Sequence, residues 1–421
     1  MSSYQSWASV RDSTEDGLLL VDFELAQHWL AASQSTPPPA LPLTALYCVS
    51  GGQLQVAVTD QQLGAADGEP VAQFHAWVEQ YQMASTVVGS PLALHPVGIG
   101  KPWGQEIWYT GVEQRGVCQF ASASGRTPIP WLQAVLPGAV AGRAGLPLIL
   151  LKILDPSAQA VTGDLYFELH EEKREVYVVT HVDKTAWPDG VGCIRYGFDL
   201  DETAPALPDR EFRARYLAAV EAYEQVRRAL DALSADASPD TGLLARERQL
   251  RADMDSFTRL YPLRVGDVVV VPPLLPHALQ HGVRVIEFQT PVYERRILSF
   301  AQQVQTQDHW DTRVAVDQMI LAPPAAEPFA CLLREPGLLV ERIAEFPEFD
   351  ISRIHLDGGP PLALEPITEY ALVMVIEGEL LLDGALYGPE QALLLPRDWQ
   401  GQLGPARPAQ PLVLLLAKPC R

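Results

Sequence analysis

The sequence predicts a mainly β protein with one inserted α-helical hairpin. Three observations predict it. Short runs of Val, Ile, Leu, Tyr and Phe, bounded by Gly, Pro and Asp, recur along most of the chain, the pattern of strands joined by turns. Between Pro208 and Phe257 the apolar residues instead return every three or four positions, which is helical spacing. Of the 421 residues, 48% are hydrophobic and 20% charged, a globular composition able to bury a core without staples.

Taken in order, Gly17–Phe23, Leu43–Val49 and Leu54–Thr59 read as strands and Phe74–Met83 as a short helix. Pro37–Pro42 is a rigid connector. Residues 1–95 carry no recognisable chemistry. At Lys101-Pro-Trp-Gly104, Pro102 fixes φ and Gly104 permits a turn, so Trp103 sits on a tight bend. Gly116–Phe120 and Leu148–Leu154 follow as strands, the second apolar except for Lys152.

Chemistry enters at Gly163–Glu175. Glu168 and His170 are two apart in a strand-forming run, so they share a face. A turn at Glu171–Arg174 brings Glu175, at the head of Val176–Val179, back beside His170. A hundred residues on, Gly266-Asp leads through Val268–Val271 and a Pro-rich turn to His277. Two imidazoles and two carboxylates suffice as first shell for a divalent transition metal, with a position left for water or substrate.

Between these stretches, Gly192–Phe198 is a strand. Asp209 is the expected cap of a helix whose stripe runs through Phe212, Tyr216, Val220, Tyr223, Leu230 and Leu233. Ser238–Gly242 breaks it, and a second helix carries Leu250, Met254 and Phe257. After His277, Val283–Gln289 is a strand, followed by Tyr293, Glu294, Arg295 and Arg296. Two arginines beside a metal are placed to hold an anion, because guanidinium presents a planar fork of donors. Asp308–Ala330 is a Pro-rich linker, and short strands spaced from Cys331 to Arg421 suggest a small antiparallel sandwich or barrel. Gly388 to Pro396 repeats the outline of Gly266 to Pro272, but no histidine follows it.

The formal charge of −21 argues against nucleic acid and against anionic membrane surfaces, which need clustered Lys and Arg. Five scattered cysteines without a Cys-x-x-Cys pair argue against a zinc ribbon and fit a reducing compartment. No secretory pattern and no apolar run of about 18 residues is read, so the expected location is cytoplasmic.

The two metal stretches resemble the two characteristic motifs of cupins. Glu168-x-His170 with Lys173-Arg-Glu175, then Pro272 and His277-Ala-Leu279, is similar to the type I mannose-6-phosphate isomerases. Those have Gln-x-His, Lys-x-Glu and a later His-Ala. Glu287-Phe-Gln289 and the Trp103-Gly104 turn extend the likeness. Glu168 stands in place of the family's Gln, Glu171 in place of a Pro, and Tyr166 and Phe167 replace small hydroxyl residues on the phosphate side.

The resemblance implies cupin-type double-stranded β-helix (jelly-roll) domains with an inserted helical hairpin. The expected division is an N-terminal β-rich extension over 1–95, a metal-bearing cupin over 96–207 and 261–307, the hairpin over 208–260, a linker over 308–330 and a degenerate cupin over 331–421. It implies Glu168, His170, Glu175 and His277 as ligands of zinc, or of manganese or iron. Arg296 and Lys173 are the implied active-site residues, with Arg295 the register alternative, and Trp103, Glu287 and Tyr293 contact substrate. The implied activity is aldose–ketose isomerisation of a phosphosugar, mannose 6-phosphate to fructose 6-phosphate. Competing readings are a non-catalytic metal-bearing sugar-binding or regulatory cupin, and an iron-dependent dioxygenase. The implied partner is a small-molecule phosphosugar, and a homodimer is allowed.

Overall fold

Alternation along the strands sorts residues 152–328 into two sheets around one core. The structure is a computed structural model and describes residues 15–30, 38–64, 68–136, 138, 140–143, 145–200, 208–233, 240–302, 307–325, 327–408 and 410–420. Pro37 of the proline connector and Ser238-Pro239 of the helix break lie outside them. The described residues form two compact units, one of Gly98–Ile107 with Lys152–Pro328, the other of Met1–Val97, Trp108–Leu151 and Phe329–Arg421.

In the first unit a six-stranded sheet runs Val268–Val271, Glu175–Val182, Val283–Gln289, Leu150–Pro156, Gly104–Trp108 and Val97–Lys101. A five-stranded sheet runs Thr258–Leu263, Gly192–Phe198, His277–Leu279, Phe167–Leu169 and Arg296–Ser299. The two share one apolar core: Leu154, Tyr177, Val179, Val269, Val271, Val283 and Val285 from one, Ile194, Leu263, Leu279 and Ile297 from the other. This is the cupin-type double sheet, mainly β and antiparallel.

The opposite face of the five-stranded sheet carries Phe167, Leu169, Phe198, Ala278 and Leu298. Against it pack the helices Asp209–Asp231 and Thr241–Asp255, through Phe212, Tyr216, Val220, Tyr223, Leu250 and Met254. The helical stripe thus buries where the spacing predicts, except that Leu233 is exposed. Asp209 is not the cap. Pro208 holds that position and Asp209 begins the first turn, where a carboxylate meets the positive end of the helix dipole. Asp240 caps the second helix, accepting from the Leu243 N–H at 3.0 Å.

In the second unit, Gly17–Leu25, Leu41–Ser50, Gln53–Thr59 and Thr86–Val87 form a four-stranded sheet. The helix Pro70–Gln80 packs on it through Phe74, Trp77 and Val78. A nine-stranded sheet places Leu92–His95 between Gln119–Ser122 and Ala392–Leu395, so the last strand before residue 96 belongs to the sheet built by the C-terminal segment. The helix Ile129–Val135 has no counterpart in the sequence reading. Its five apolar residues with Gln133 are too short a run to show a period. Among the described residues no helix is long and apolar enough to cross a membrane.

Two local features hold the strands that carry the site. Gly104 has φ +151°, and a Cβ there would lie 2.3 Å from the Asp155 carbonyl oxygen. Only glycine lets the Trp103 turn pack on Asp155-Pro156. Asp164 accepts from His281 twice, from its backbone N–H at 3.0 Å and from Nδ1–H at 2.7 Å. Burial pushes the Asp164 carboxyl up, but the His281 bonds outweigh it and hold it below the usual range.

Gly104→Ala is expected to cost roughly 1–3 kcal/mol or more in a urea melt; an unchanged midpoint would show that the turn yields freely. A carboxylate with a depressed folded value contributes fully above its unfolded value of about 3.9 and is lost as pH falls through the folded one. The stability gap between wild type and Asp164→Asn is therefore expected to shrink as pH falls below about 4. A gap that widens below about pH 4 contradicts it.

Candidate metal centre

Three side chains from three strands converge inside the double sheet. His170 follows Phe167–Leu169, Glu175 opens the strand Glu175–Val182, and His277 opens His277–Leu279. All three are almost wholly buried, and one ligand atom from each lies within 4.8 Å of the others. His170 Nε2 is 3.3 Å from Glu175 Oε1 and His277 Nε2 is 3.0 Å from Glu175 Oε2. Leu274 ties the halves together. In left-handed backbone at φ +66°, it donates its N–H to the His170 carbonyl at 2.6 Å.

Hydrogen bonding fixes what the two imidazoles present. His170 Nδ1 faces the Glu294 carbonyl at 3.0 Å and His277 Nδ1 faces the Leu275 carbonyl at 3.0 Å. A carbonyl only accepts, so each Nδ1 carries the proton. Each ring then turns its Nε2 toward Glu175, and His277 Nε2 lies within hydrogen-bond distance of Glu175 Oε2. Burial, and next the Lys173 charge, hold His170 below the ordinary histidine value against the pull of Glu175. Burial pushes the Glu175 carboxyl up, but Lys173 and His170 outweigh it and hold it well below the usual range. Two ring nitrogens and a carboxylate facing one another across 3.0–3.3 Å make a donor set that a cation could bridge. Those spacings sit close to the tetrahedral edge of about 3.4 Å implied by metal–ligand bonds of about 2.1 Å. The donor set therefore fits a divalent transition metal.

Glu168, the fourth expected ligand, stands at the margin. Its Oε1 is 3.9 Å from His170 Nε2 and its Oε2 is 3.7 Å from Arg295 Nη1, and it falls outside the three-residue group. Oε2 is buried without a hydrogen bond. Lys173 is buried and donates to Glu175 Oε1 at 2.7 Å, and Tyr177 OH donates to Glu175 Oε2 at 2.8 Å.

The two arginines divide by strand parity. Ile297 points into the shared core and Leu298 toward the helices. Arg295 has the parity of Ile297: it stacks over Tyr166 at 4.8 Å and approaches Glu168. Arg296 has the parity of Leu298 and is half exposed, with Nε on Glu171 Oε1 at 2.9 Å and Nη1 3.7 Å from Asp311. The inward guanidinium is thus Arg295, the register alternative, and the outward one Arg296. Tyr293 is 45% exposed.

Glu287 lies inside, opposite Tyr177 in register. Lys152 Nζ sits 3.1 Å from its Oε2, and Lys152 is the residue that sequence reasoning left as strand filler. Its parity with the core residue Leu154 was the available signal. Burial pushes Lys152 down, but Glu287, Glu106 and Glu175 outweigh it and keep it charged. Burial, against Lys152 and with Glu175, pushes the Glu287 carboxyl well above the usual range. Unmet hydrogen-bonding capacity collects here: Trp103 Nε1, Glu287 Oε1 and Gln289 Oε1 are buried without a hydrogen bond.

No family model and no curated protein matches the chain. Solved structures do. The mannose 6-phosphate isomerase of Bacillus subtilis superposes with TM-score 0.57 at 14% identity, covering 78% of this chain and 99% of that one. A zinc-bound mannose 6-phosphate isomerase gives 0.55 at 14%, covering 78% and 100%. A single-site mutant of phosphomannose isomerase from Salmonella typhimurium gives 0.54 at 14%, again 78% and 100%. At this identity the likeness establishes the fold.

Calorimetric titration of metal-stripped protein with zinc is expected to show one tight site. His170→Ala and His277→Ala should each weaken it by more than about 100-fold, beyond the loss typical of an outer-shell partner. Retained affinity in both variants places the metal elsewhere.

Proposed function

We propose that the protein is a metal-dependent aldose–ketose isomerase acting on a phosphosugar, with mannose 6-phosphate and fructose 6-phosphate as the first pair to test. The observation that carries this reading is the buried His170, Glu175 and His277 group, whose ring nitrogens and carboxylate face one another at 3.0–3.3 Å. The superposition on mannose 6-phosphate isomerases, one of them zinc-bound, supports it.

The division of labour follows from charge and position. His170, Glu175 and His277 would hold the cation, with Glu168 as a fourth ligand. Bound there, a divalent cation supplies a Lewis acid that polarises sugar oxygens. With Glu287 raised toward neutrality, the facing side chains set Glu168 and Glu175 against Lys152, Lys173 and Arg295. Adding a dication leaves the site positive, which favours a substrate carrying a phosphate of charge about −1.5 to −2. Arg295, braced on Tyr166, holds that phosphate. Moving the carbonyl from C1 to C2 removes a proton from C2 and returns one to C1, while the O2 hydroxyl proton passes to O1. Glu287, whose carboxyl is raised toward neutrality, exchanges that proton, and Lys152 remains its cationic partner. Lys173 keeps Glu175 ionised. Trp103 Nε1 and Gln289 Oε1 offer hydrogen bonds to sugar hydroxyls.

Turnover of mannose 6-phosphate is expected, and a chelator abolishes it. Arg295→Ala should raise KM about 10- to 100-fold, the loss of a charged hydrogen bond, while Arg296→Ala stays near wild type. Glu168→Gln removes a charge that lowers Lewis acidity, so activity should hold or rise. Bound metal and sugar phosphate without turnover would instead establish a binding protein, and oxygen consumption a dioxygenase.

A further inference from the structure

We infer that Glu294 is a positioning residue for the metal centre, holding the loop between His170 and Glu175 with its carboxylate and aiming His170 with its carbonyl. The inference rests on the metal reading above. Glu294 lies more than 120 positions from that loop in sequence. Its Oε1 accepts three successive backbone N–H groups: Glu171 at 2.9 Å, Glu172 at 3.1 Å and Lys173 at 3.1 Å. Its carbonyl oxygen accepts His170 Nδ1–H at 3.0 Å.

The geometry gives this one residue unusual reach. Residues 171–174 join His170 to Glu175, and the first three turn their N–H groups to one side. Such a concave row of N–H groups demands an anion or a strong acceptor. With the Glu294 carboxylate in place the loop has one conformation, and the ligands at its two ends keep their spacing. The carbonyl bond sets the His170 tautomer, which leaves Nε2 free to face Glu175. The next two residues extend the staple. Arg296 reaches Glu171 from outside at 2.9 Å, and Arg295 turns inward over Tyr166. Outer partners of this kind typically change metal affinity 10- to 100-fold when lost.

The test uses full-length protein with three substitutions. Glu294→Ala removes the acceptor. Glu294→Asp keeps the charge but shortens the arm. Glu294→Gln keeps a carbonyl acceptor at full length. Zinc affinity is read by calorimetry, and amide hydrogen exchange of residues 171–173 is read on the metal-free protein. Thermal melts check folding, and Glu294→Asp carries the test if Glu294→Ala misfolds. The expected result is a 10- to 100-fold loss of zinc affinity in the Ala and Asp variants, with faster exchange at 171–173. Glu294→Gln should stay within about threefold of wild type, since its amide oxygen still accepts. Faster exchange with wild-type zinc affinity would make Glu294 a structural cap only and overturn the inference. So would an equal loss in Glu294→Gln, or unchanged exchange in Glu294→Ala. Failure of the wild type to bind zinc sinks the metal reading and this inference with it. Zinc binding intact in both wild type and the Ala and Asp variants sinks this inference alone.

Discussion

Two imidazole nitrogens and a carboxylate face one another, buried inside a double sheet. That confrontation is the constraint on which the rest depends. Each ring is anchored at Nδ1 on a backbone carbonyl, Glu294 for His170 and Leu275 for His277. Each then turns Nε2 toward Glu175, at 3.3 and 3.0 Å. The three residues are almost wholly buried, where electrostatic interactions are strengthened by the low dielectric. Lys173 and Tyr177 each donate to one Glu175 oxygen. A cation bridging the three would complete the set.

The sheet does the sorting that makes this possible. Because successive side chains alternate, a strand shared between the polar interior and the helical hairpin can carry chemistry on one face and packing on the other. Glu168 points inward between Phe167 and Leu169, which pack on the helices. Glu287 and Gln289 continue the inward series of Val283 and Val285. Charges line up across neighbouring strands of the six-stranded sheet: Glu175, then Glu287, then Lys152, with the Lys101–Glu106 pair at 3.0 Å beyond them. Removing one member of such a buried pair is usually worth about 3–5 kcal/mol, so this row constrains stability as well as charge.

Much of this was legible in the sequence, and the misses have causes. The helical hairpin declared itself through Phe212, Tyr216, Val220 and Tyr223, and the meeting of His170, Glu175 and His277 through the two stretches that carry them. Pairing between distant strands was not legible. Nothing local says that Leu92–His95 lies beside Ala392–Leu395, since that neighbour is three hundred positions away. The choice between Arg295 and Arg296 was legible in principle, because Ile297 is apolar and core-facing and parity then points Arg295 inward. Lys152 was legible by the same rule. Glu294 was not, because its role lies in what its oxygen meets across a loop and not in any motif.

The central claim is that His170, Glu175 and His277 share one cation. Anomalous diffraction from crystals of the zinc-loaded protein, recorded on both sides of the zinc edge, tests it most directly. The account predicts a single strong peak about 2.0–2.2 Å from His170 Nε2, His277 Nε2 and a Glu175 oxygen. An empty map at that point, with zinc bound elsewhere or not at all, would contradict it.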